Sequence, residues 1–210
     1  MVLGLGTGST VAFFLDALAE RYRKGEVEGI VGVPTSVWTE HRASELGIPL
    51  TSLAAVGTLD LTVDGADEVD PELNLIKGLG GALIREKMVA QSTRDFLIIV
   101  DEGKLVERLG TRSPLPVEVL QFEWKFHLPF LGTWGANARL RVGEGGAPYV
   151  TDNGNFILDC SFEEGIPDPT ALERALQERA GVVGTGLFLD MATEVLVGGT
   201  AGVSRMKKTD

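Results

Sequence analysis

Short, almost uninterrupted apolar runs constrain this chain more than any other feature. They fall at residues 1–5, 29–33, 59–63 and 96–100, with polar side chains only at Asp60 and Thr62 of the third run. Strands of that composition are buried on both faces, an environment that parallel sheets covered by helices provide. The intervening segments fit that requirement. Residues 11–23 place Val11, Phe14, Leu15, Leu18 and Tyr22 at helical spacing. A second helix is predicted over 37–46, capped by Thr35 or Ser36 and closed by Gly47, and a third over 82–92. Residues 48–53 read as extended. The alternation predicts an α/β fold, a doubly wound parallel sheet, in this part of the chain.

Past residue 108 the texture changes. Strands are predicted at 114–120, 138–142, 156–161 and 182–189. Helices are predicted at 123–132 and 169–179, the latter capped by Asp168 with Pro169 in its first position. This β-α-β-β-α-β order is the split, ferredoxin-like pattern. A last apolar run at 194–197 is expected to return to the first sheet. The expected organisation is one domain of 1–107 and 187–210, interrupted by a smaller α+β domain of 108–186.

Nineteen Lys and Arg against thirty Asp and Glu leave a net charge of −11. That balance disfavours nucleic acid or an anionic membrane as partner, since both demand clustered basic groups. A small anionic substrate remains compatible, because a bound phosphate responds to local donors. The single Cys160 excludes an intramolecular disulfide and a cysteine-built zinc site. It is expected as a buried, inert thiol. The two histidines, His41 and His127, lie far apart and argue against a histidine metal centre. His127 is expected on a helix surface or an interface, and Trp38 and His41 on the second helix. No apolar run reaches the ~20 residues of a membrane span, and the expected location is the cytoplasm.

Twenty-seven of 210 residues are glycine, nearly twice the usual ~7%. Gly4, Gly6 and Gly8 precede Ser9, Thr10 and a helix, an arrangement that can bring backbone N–H groups against an anion. The spacing matches neither the dinucleotide fingerprint nor the Walker loop, so a phosphate cradle and a plain turn both stay open. Asp64-Gly-Ala-Asp-Glu68 sets three carboxylates within one short loop. A solvated turn, a hard-metal ligand set and a polar catalytic site are all readings of it. Lys77 and Lys104 can supply balancing charge, which weakens the metal reading. Lys77-Gly-Leu-Gly-Gly81 leads into the helix bearing Glu86, by itself an ordinary solvated-face residue, and Asp101-Glu-Gly-Lys104 by itself is a capping turn. Their joint placement carries more. Three of these segments follow parallel strands, the fourth opens a neighbouring helix, and open α/β sheets bind ligands outside the carboxyl ends of their strands. One crevice is expected to hold a phosphate cradle, two aspartates, two lysines and a candidate base.

Gly6-Thr-Gly-Ser-Thr10, Asp64-Gly-Ala-Asp-Glu68, Lys77-Gly-Leu-Gly-Gly81, Arg85-Glu-Lys87, Leu115-Pro-Val-Glu118 and Thr151-Asp-Asn-Gly-Asn155 occur in this order along the chain. Together they resemble the A-type ribose-5-phosphate isomerase family. The resemblance implies a Rossmann-like, doubly wound parallel sheet with an inserted smaller α+β domain. It implies an aldose–ketose isomerase of the non-oxidative pentose phosphate branch, interconverting D-ribose 5-phosphate and D-ribulose 5-phosphate through an ene-diolate. No metal and no cofactor are implied. The implied partner is the small sugar phosphate, with no nucleic acid and no membrane, and the implied assembly is a homodimer or homotetramer.

On the same resemblance, Glu86 matches the proton acceptor, and Asp64, Asp67 and Lys77 match positions around the reacting end of the sugar. Asp64 would help open the furanose ring. Lys77 and the amides of Gly78, Leu79, Gly80 and Gly81 would steady the ene-diolate. Thr7, Gly8, Ser9 and Thr10 match the substrate loop, Gly65 and Ala66 fall within the aspartate motif, and Lys104 matches a further substrate contact. A carboxylate base of this kind is expected in dry surroundings, flanked by groups such as Ile84 and Met88. Two departures accompany the match. The family normally carries a helix before the first strand, whereas this chain starts almost on that strand, which implies truncation or loss of the helix. Leu79 replaces a glycine common in the family, a tolerated change unless the loop needs positive φ there. Rival readings are a CoA-transferase or sugar-phosphate deaminase of shared architecture, and a sugar-phosphate sensor domain.

Overall fold

The computed structural model describes residues 1–208. In chain order the elements are β1 (Val2–Leu5), α1 (Ser9–Arg23), β2 (Val31–Pro34), α2 (Val37–Glu45), α3 (Leu53–Val56) and β3 (Leu59–Asp64). β4 (Glu68–Val69), β5 (Leu75–Ile76), α4 (Leu83–Gln91), β6 (Thr93–Asp101) and β7 (Leu115–Val119) follow. Then come α5 (Leu128–Thr133), β8 (Asn137–Leu140), β9 (Phe156–Ser161), α6 (Pro169–Gln177), β10 (Val182–Thr185), β11 (Leu187–Phe188), β12 (Glu194–Gly199) and β13 (Gly202–Lys207).

The chain divides into two compact units. The first comprises Met1–Ala66, Arg85–Gly103 and the residues from Met191 onward. Its six-stranded sheet runs β13-β12-β6-β3-β1-β2, parallel throughout except for the antiparallel hairpin partner β13. The chain leaves β1 to form β2 on one side and β3 on the other. The carboxyl ends of β1 and β3 therefore flank a topological switch point. Both faces of this sheet are covered, as its apolar strands require. Val11, Leu15, Leu18 and Ala19 of α1 and Ala43 of α2 pack with Leu3 and Leu5, while Val89 of α4 packs with Val33 and Leu59. Ser36 caps α2 by accepting the Thr39 N–H at 3.0 Å. β12 returns to this sheet beside β6, as its apolar run requires.

The second unit comprises Asp67–Ile84 and Lys104–Asp190. Its four-stranded antiparallel sheet has the order β10-β7-β9-β8. With α5 after β7 and α6 after β9, this is the split β-α-β-β-α-β arrangement. Leu115, Val117, Leu131, Leu158, Cys160, Leu172 and Leu176 form its core. Asp168 caps α6 by accepting the Ala171 N–H at 2.9 Å.

Several details depart from the sequence reading. Residues 67–84, assigned above to the first domain, group with the second unit, because β4 and β5 form a hairpin that pairs with β11 in a separate three-stranded sheet. The extended stretch 182–189 is split for the same reason: β10 joins the four-stranded sheet and β11 joins the hairpin. The helix over 123–132 breaks into a 3-10 turn, Trp124–His127, followed by α5 with Pro129 in its first turn. Residues 53–56 form the short α3 rather than a strand end.

His127 is buried, not at a surface. Its Nδ1 accepts from Arg179 Nε at 3.0 Å, and Gly181 leaves room for the ring. Cys160 is fully buried, and burial raises its thiol pKa far above the usual value. Trp38 and His41 lie exposed on α2. Among the described residues no helix is long and apolar enough to cross a membrane.

Candidate active site

In the first unit, the loop after β1 and the end of β3 are built against each other. Asp64, fully buried at the last position of β3, accepts the Thr7 N–H at 3.0 Å and the Gly65 N–H at 2.8 Å. A Cβ at Gly6 would stand 2.2 Å from Asp64 Oδ1, and one at Gly4 would stand 2.1 Å from Thr62 Oγ1. These two glycines thus serve the close approach of β1 and β3, not an anion. Gly8 is different. Its φ of 116° puts it in the left-handed region, and it precedes α1 with no side-chain cap. Ala12 is the first residue of α1 whose N–H finds its helical acceptor, Gly8 O at 3.0 Å. The N–H groups of Ser9, Thr10 and Val11 consequently point out of the helix end, where the helix dipole favours negative charge.

Thr7 is oriented by residues that the motifs did not flag. Its hydroxyl lies 2.8 Å from Thr35 Oγ1, 2.9 Å from Ser36 Oγ and 3.1 Å from Thr39 Oγ1. Thr35 and Thr39 in turn donate to the carbonyls of Leu5 and Gly6. The signal available in sequence was a cap for α2, and the cap residues also brace the β1 loop.

Glu86 sits in the first turn of α4 and is 4% exposed, so the solvated-face reading fails. Its expected neighbour Met88 is 52% exposed and gives it little cover. In the second unit, Ile84 packs over Gly184, its Cδ1 2.5 Å from where a Cβ at that glycine would stand.

In the second unit, Asp67 and the glycine loop come together. Asp67 Oδ2 accepts the Leu79 N–H at 2.9 Å. Lys77 is 2% exposed, its N–H donates to Gly186 O, and its Nζ lies 5.5 Å from the centre of the Phe188 ring. Gly81 N–H closes the turn on Gly78 O at 2.9 Å. Two of the expected anion-facing amides, those of Leu79 and Gly81, are therefore already engaged. Among the described residues, the N–H groups of Gly78 and Gly80 have no acceptor. Positive φ is needed at Gly78 and Gly81 but not at position 79, which explains why leucine is accommodated there. Lys104 ends a 3-10 turn after β6 and is half-buried.

Glu68 is a correction to the view of the aspartate motif as one acidic cluster. It is fully buried and accepts three backbone N–H groups, from Gly110 at 2.5 Å, Arg112 at 2.6 Å and Ser113 at 2.5 Å. It is a structural clamp for the 110–113 turn. Among the described residues no three His, Cys, Asp or Glu side chains are arranged to hold a metal ion.

The sequence reading also missed Arg141 and Tyr149, which lie over the glycine loop. Arg141 Nη1 donates to Gly78 O at 3.0 Å and to Leu79 O at 2.9 Å, and Tyr149 Oη faces Gly80 O at 3.4 Å. No local motif announces them, because they reach the loop only through the second unit's tertiary fold.

The chain is similar to known proteins in both sequence and fold. The model of the family described as ribose 5-phosphate isomerase A (phosphoriboisomerase A) matches residues 31–202. The ribose-5-phosphate isomerase A of Chloroflexus aurantiacus is 50% identical, over 100% of this chain and 87% of its own length. A solved D-ribose-5-phosphate isomerase in complex with phospho-erythronic acid superposes with a TM-score of 0.96 at 46% identity, over 99% of this chain and 91% of that one. The ribose 5-phosphate isomerase of Plasmodium falciparum gives a TM-score of 0.96 at 39% identity, over 100% of this chain and 92% of its own. With its sequence matched over most of its length and its fold reproduced, the chain belongs to the ribose 5-phosphate isomerase A family.

Proposed function

We propose that this chain, an isomerase of D-ribose 5-phosphate and D-ribulose 5-phosphate, works by carrying one proton on the Glu86 carboxylate through an ene-diolate. The observation that carries this reading is the burial of Glu86 at the start of α4, immediately beyond the glycine loop. A carboxylate removed from bulk water is the kind of group that can take a proton from carbon and hold it for return.

Asp64, fixed by two backbone donors, accepts the anomeric hydroxyl proton as the C1–O4 bond of the furanose ring breaks, and that proton passes to O4 of the open chain. Glu86 then takes the C2 proton, the C2–H electrons form the C1–C2 double bond, and the aldehyde oxygen becomes an oxyanion. Lys77 and the N–H groups of Gly78 and Gly80 stabilise that charge. Glu86 returns the proton to C1, whose new C–H bond takes the C1–C2 double-bond electrons, while the O2 proton passes to the O1 oxyanion and the C2 carbonyl forms. Thr7, Gly8, Ser9 and Thr10, with Gly65 and Ala66, hold the substrate, and the open end of α1 suits its phosphate. Asp67 and Lys104 complete the polar contacts.

The reading needs no metal ion or cofactor. The lone, buried Cys160 suits a reducing cytoplasm, and we place the enzyme there as a homodimer or homotetramer.

Glu86→Gln tests the assignment. The expected result is loss of turnover by at least about a thousandfold, with substrate-analogue binding held within about tenfold, or ~1.4 kcal/mol. Turnover near the normal rate would remove Glu86 from the role. Full activity in excess chelator is expected alongside. Activity lost to chelator and restored by added metal would instead favour a metal-assisted hydride shift.

A further inference from the structure

We propose that Arg141 is a positioning residue for the reaction, acting through the two peptide planes of the glycine loop that it grips. The proposal rests on the isomerase reading above and adds a residue to it. Arg141 follows β8, and its side chain is 11% exposed. Its Nε and Nη2 make a two-point contact with Asp159 of β9, at 2.9 Å to Oδ2 and 2.5 Å to Oδ1. A guanidinium is planar, so this fork fixes its orientation. Its remaining nitrogen, Nη1, then meets the carbonyls of both Gly78 and Leu79.

What those carbonyls share is the consequence. All peptide bonds of the described chain are trans, so the C=O and N–H of one peptide unit point in opposite directions across one plane. The plane whose carbonyl is Gly78 O carries the Leu79 N–H, which donates to Asp67 Oδ2 at 2.9 Å. The plane whose carbonyl is Leu79 O carries the Gly80 N–H, which has no acceptor among the described residues. By holding two carbonyls, Arg141 places the Asp67 carboxylate through one plane and aims the Gly80 amide through the other. A cation on each carbonyl also polarises its peptide and strengthens the N–H at the far side as a donor. The side chain is thus tied to charge that develops during the reaction, without touching the substrate.

Arg141→Lys keeps the charge but cannot form the fork and reach both carbonyls at once. It is expected to lower kcat by about 10- to 100-fold, with KM within about threefold and the melting temperature little changed. Asp159→Asn, which frees the guanidinium from its orienting partner, is expected to give a smaller loss of the same kind. In Arg141→Ala, millimolar guanidinium is expected to restore part of kcat and ammonium none of it. A folded Arg141→Lys enzyme with kcat within twofold of normal overturns the proposal, as does a melting-temperature loss with no kcat effect. Should Arg141→Ala fail to fold, the lysine and asparagine variants decide. Glu86→Gln assayed in parallel separates the two claims. An active Glu86→Gln sinks the site reading itself, whereas an inactive Glu86→Gln beside a fully active Arg141→Lys sinks only the role of Arg141.

Discussion

At the scale of single residues, burial separates groups that look alike in sequence. Asp64 and Glu68 stand four positions apart in one acidic motif, yet each has its own set of backbone donors, and those of Glu68 belong to the 110–113 turn. Spacing alone could not assign them, because the partners of Glu68 lie more than forty residues away. The motif around Glu86 marks it as a candidate, whereas its own position, a polar residue flanked by Arg85 and Lys87, suggests a wet helix face, and the structure buries it.

His127 was misplaced for a related reason. Its Arg179 partner lies 52 residues away, just past the end of α6. Burial, then the adjacent Arg179 charge, lowers its pKa below the ordinary value of 6.5. The folded state therefore favours the neutral ring, while the unfolded chain takes up the proton first as pH falls. Its contribution is fully present above about pH 6.5 and is lost as pH drops toward the lowered value. Urea unfolding between pH 7.5 and 5.5 should show this loss, and His127→Gln, which keeps an acceptor for Arg179, should flatten it. Equal slopes for the two proteins would show that His127 is not the group responsible.

At the scale of elements, the legible parts were those with strong local signals. The parallel strands declared themselves by continuous apolar runs, and α2 and α6 by their caps. The Asp168 cap is exposed, so its contribution can be read without cavity effects. Asp168→Ala should cost about 1 kcal/mol in denaturant unfolding with kcat unchanged, and no measurable loss would mean that water replaces the carboxylate there.

Less legible were the short elements whose pairing is tertiary. β4 and β5 are two residues each, too short for any period to show, and they exist because β11 completes their sheet. The chain from 182 to 188 is one apolar stretch in sequence and two strands in space, because it changes sheets after Thr185. The glycine loop shows the same limit. Its glycines were plain in the sequence, though the positive φ that Gly78 and Gly81 supply was not, nor were the Arg141 and Tyr149 side chains over the loop.

At the scale of the whole molecule, a strongly acidic chain acts on an anionic sugar phosphate. The net charge is no obstacle, because a bound phosphate responds to the donors around it and not to the total. Membership of the ribose 5-phosphate isomerase A family sets aside the transferase, deaminase and sensor readings that the architecture alone left open. What distinguishes the proposed chemistry from every hydride-shift alternative is that the migrating hydrogen spends time as a proton on a carboxylate. The most direct measurement is therefore to hold the enzyme and its equilibrated sugar phosphates in D2O and follow deuterium at carbon by NMR. Proton transfer through Glu86 requires deuterium to accumulate at C2 of ribose 5-phosphate and at one C1 position of ribulose 5-phosphate, and Glu86→Gln to abolish it. Continued interconversion over many turnovers with no deuterium at either carbon would contradict the mechanism.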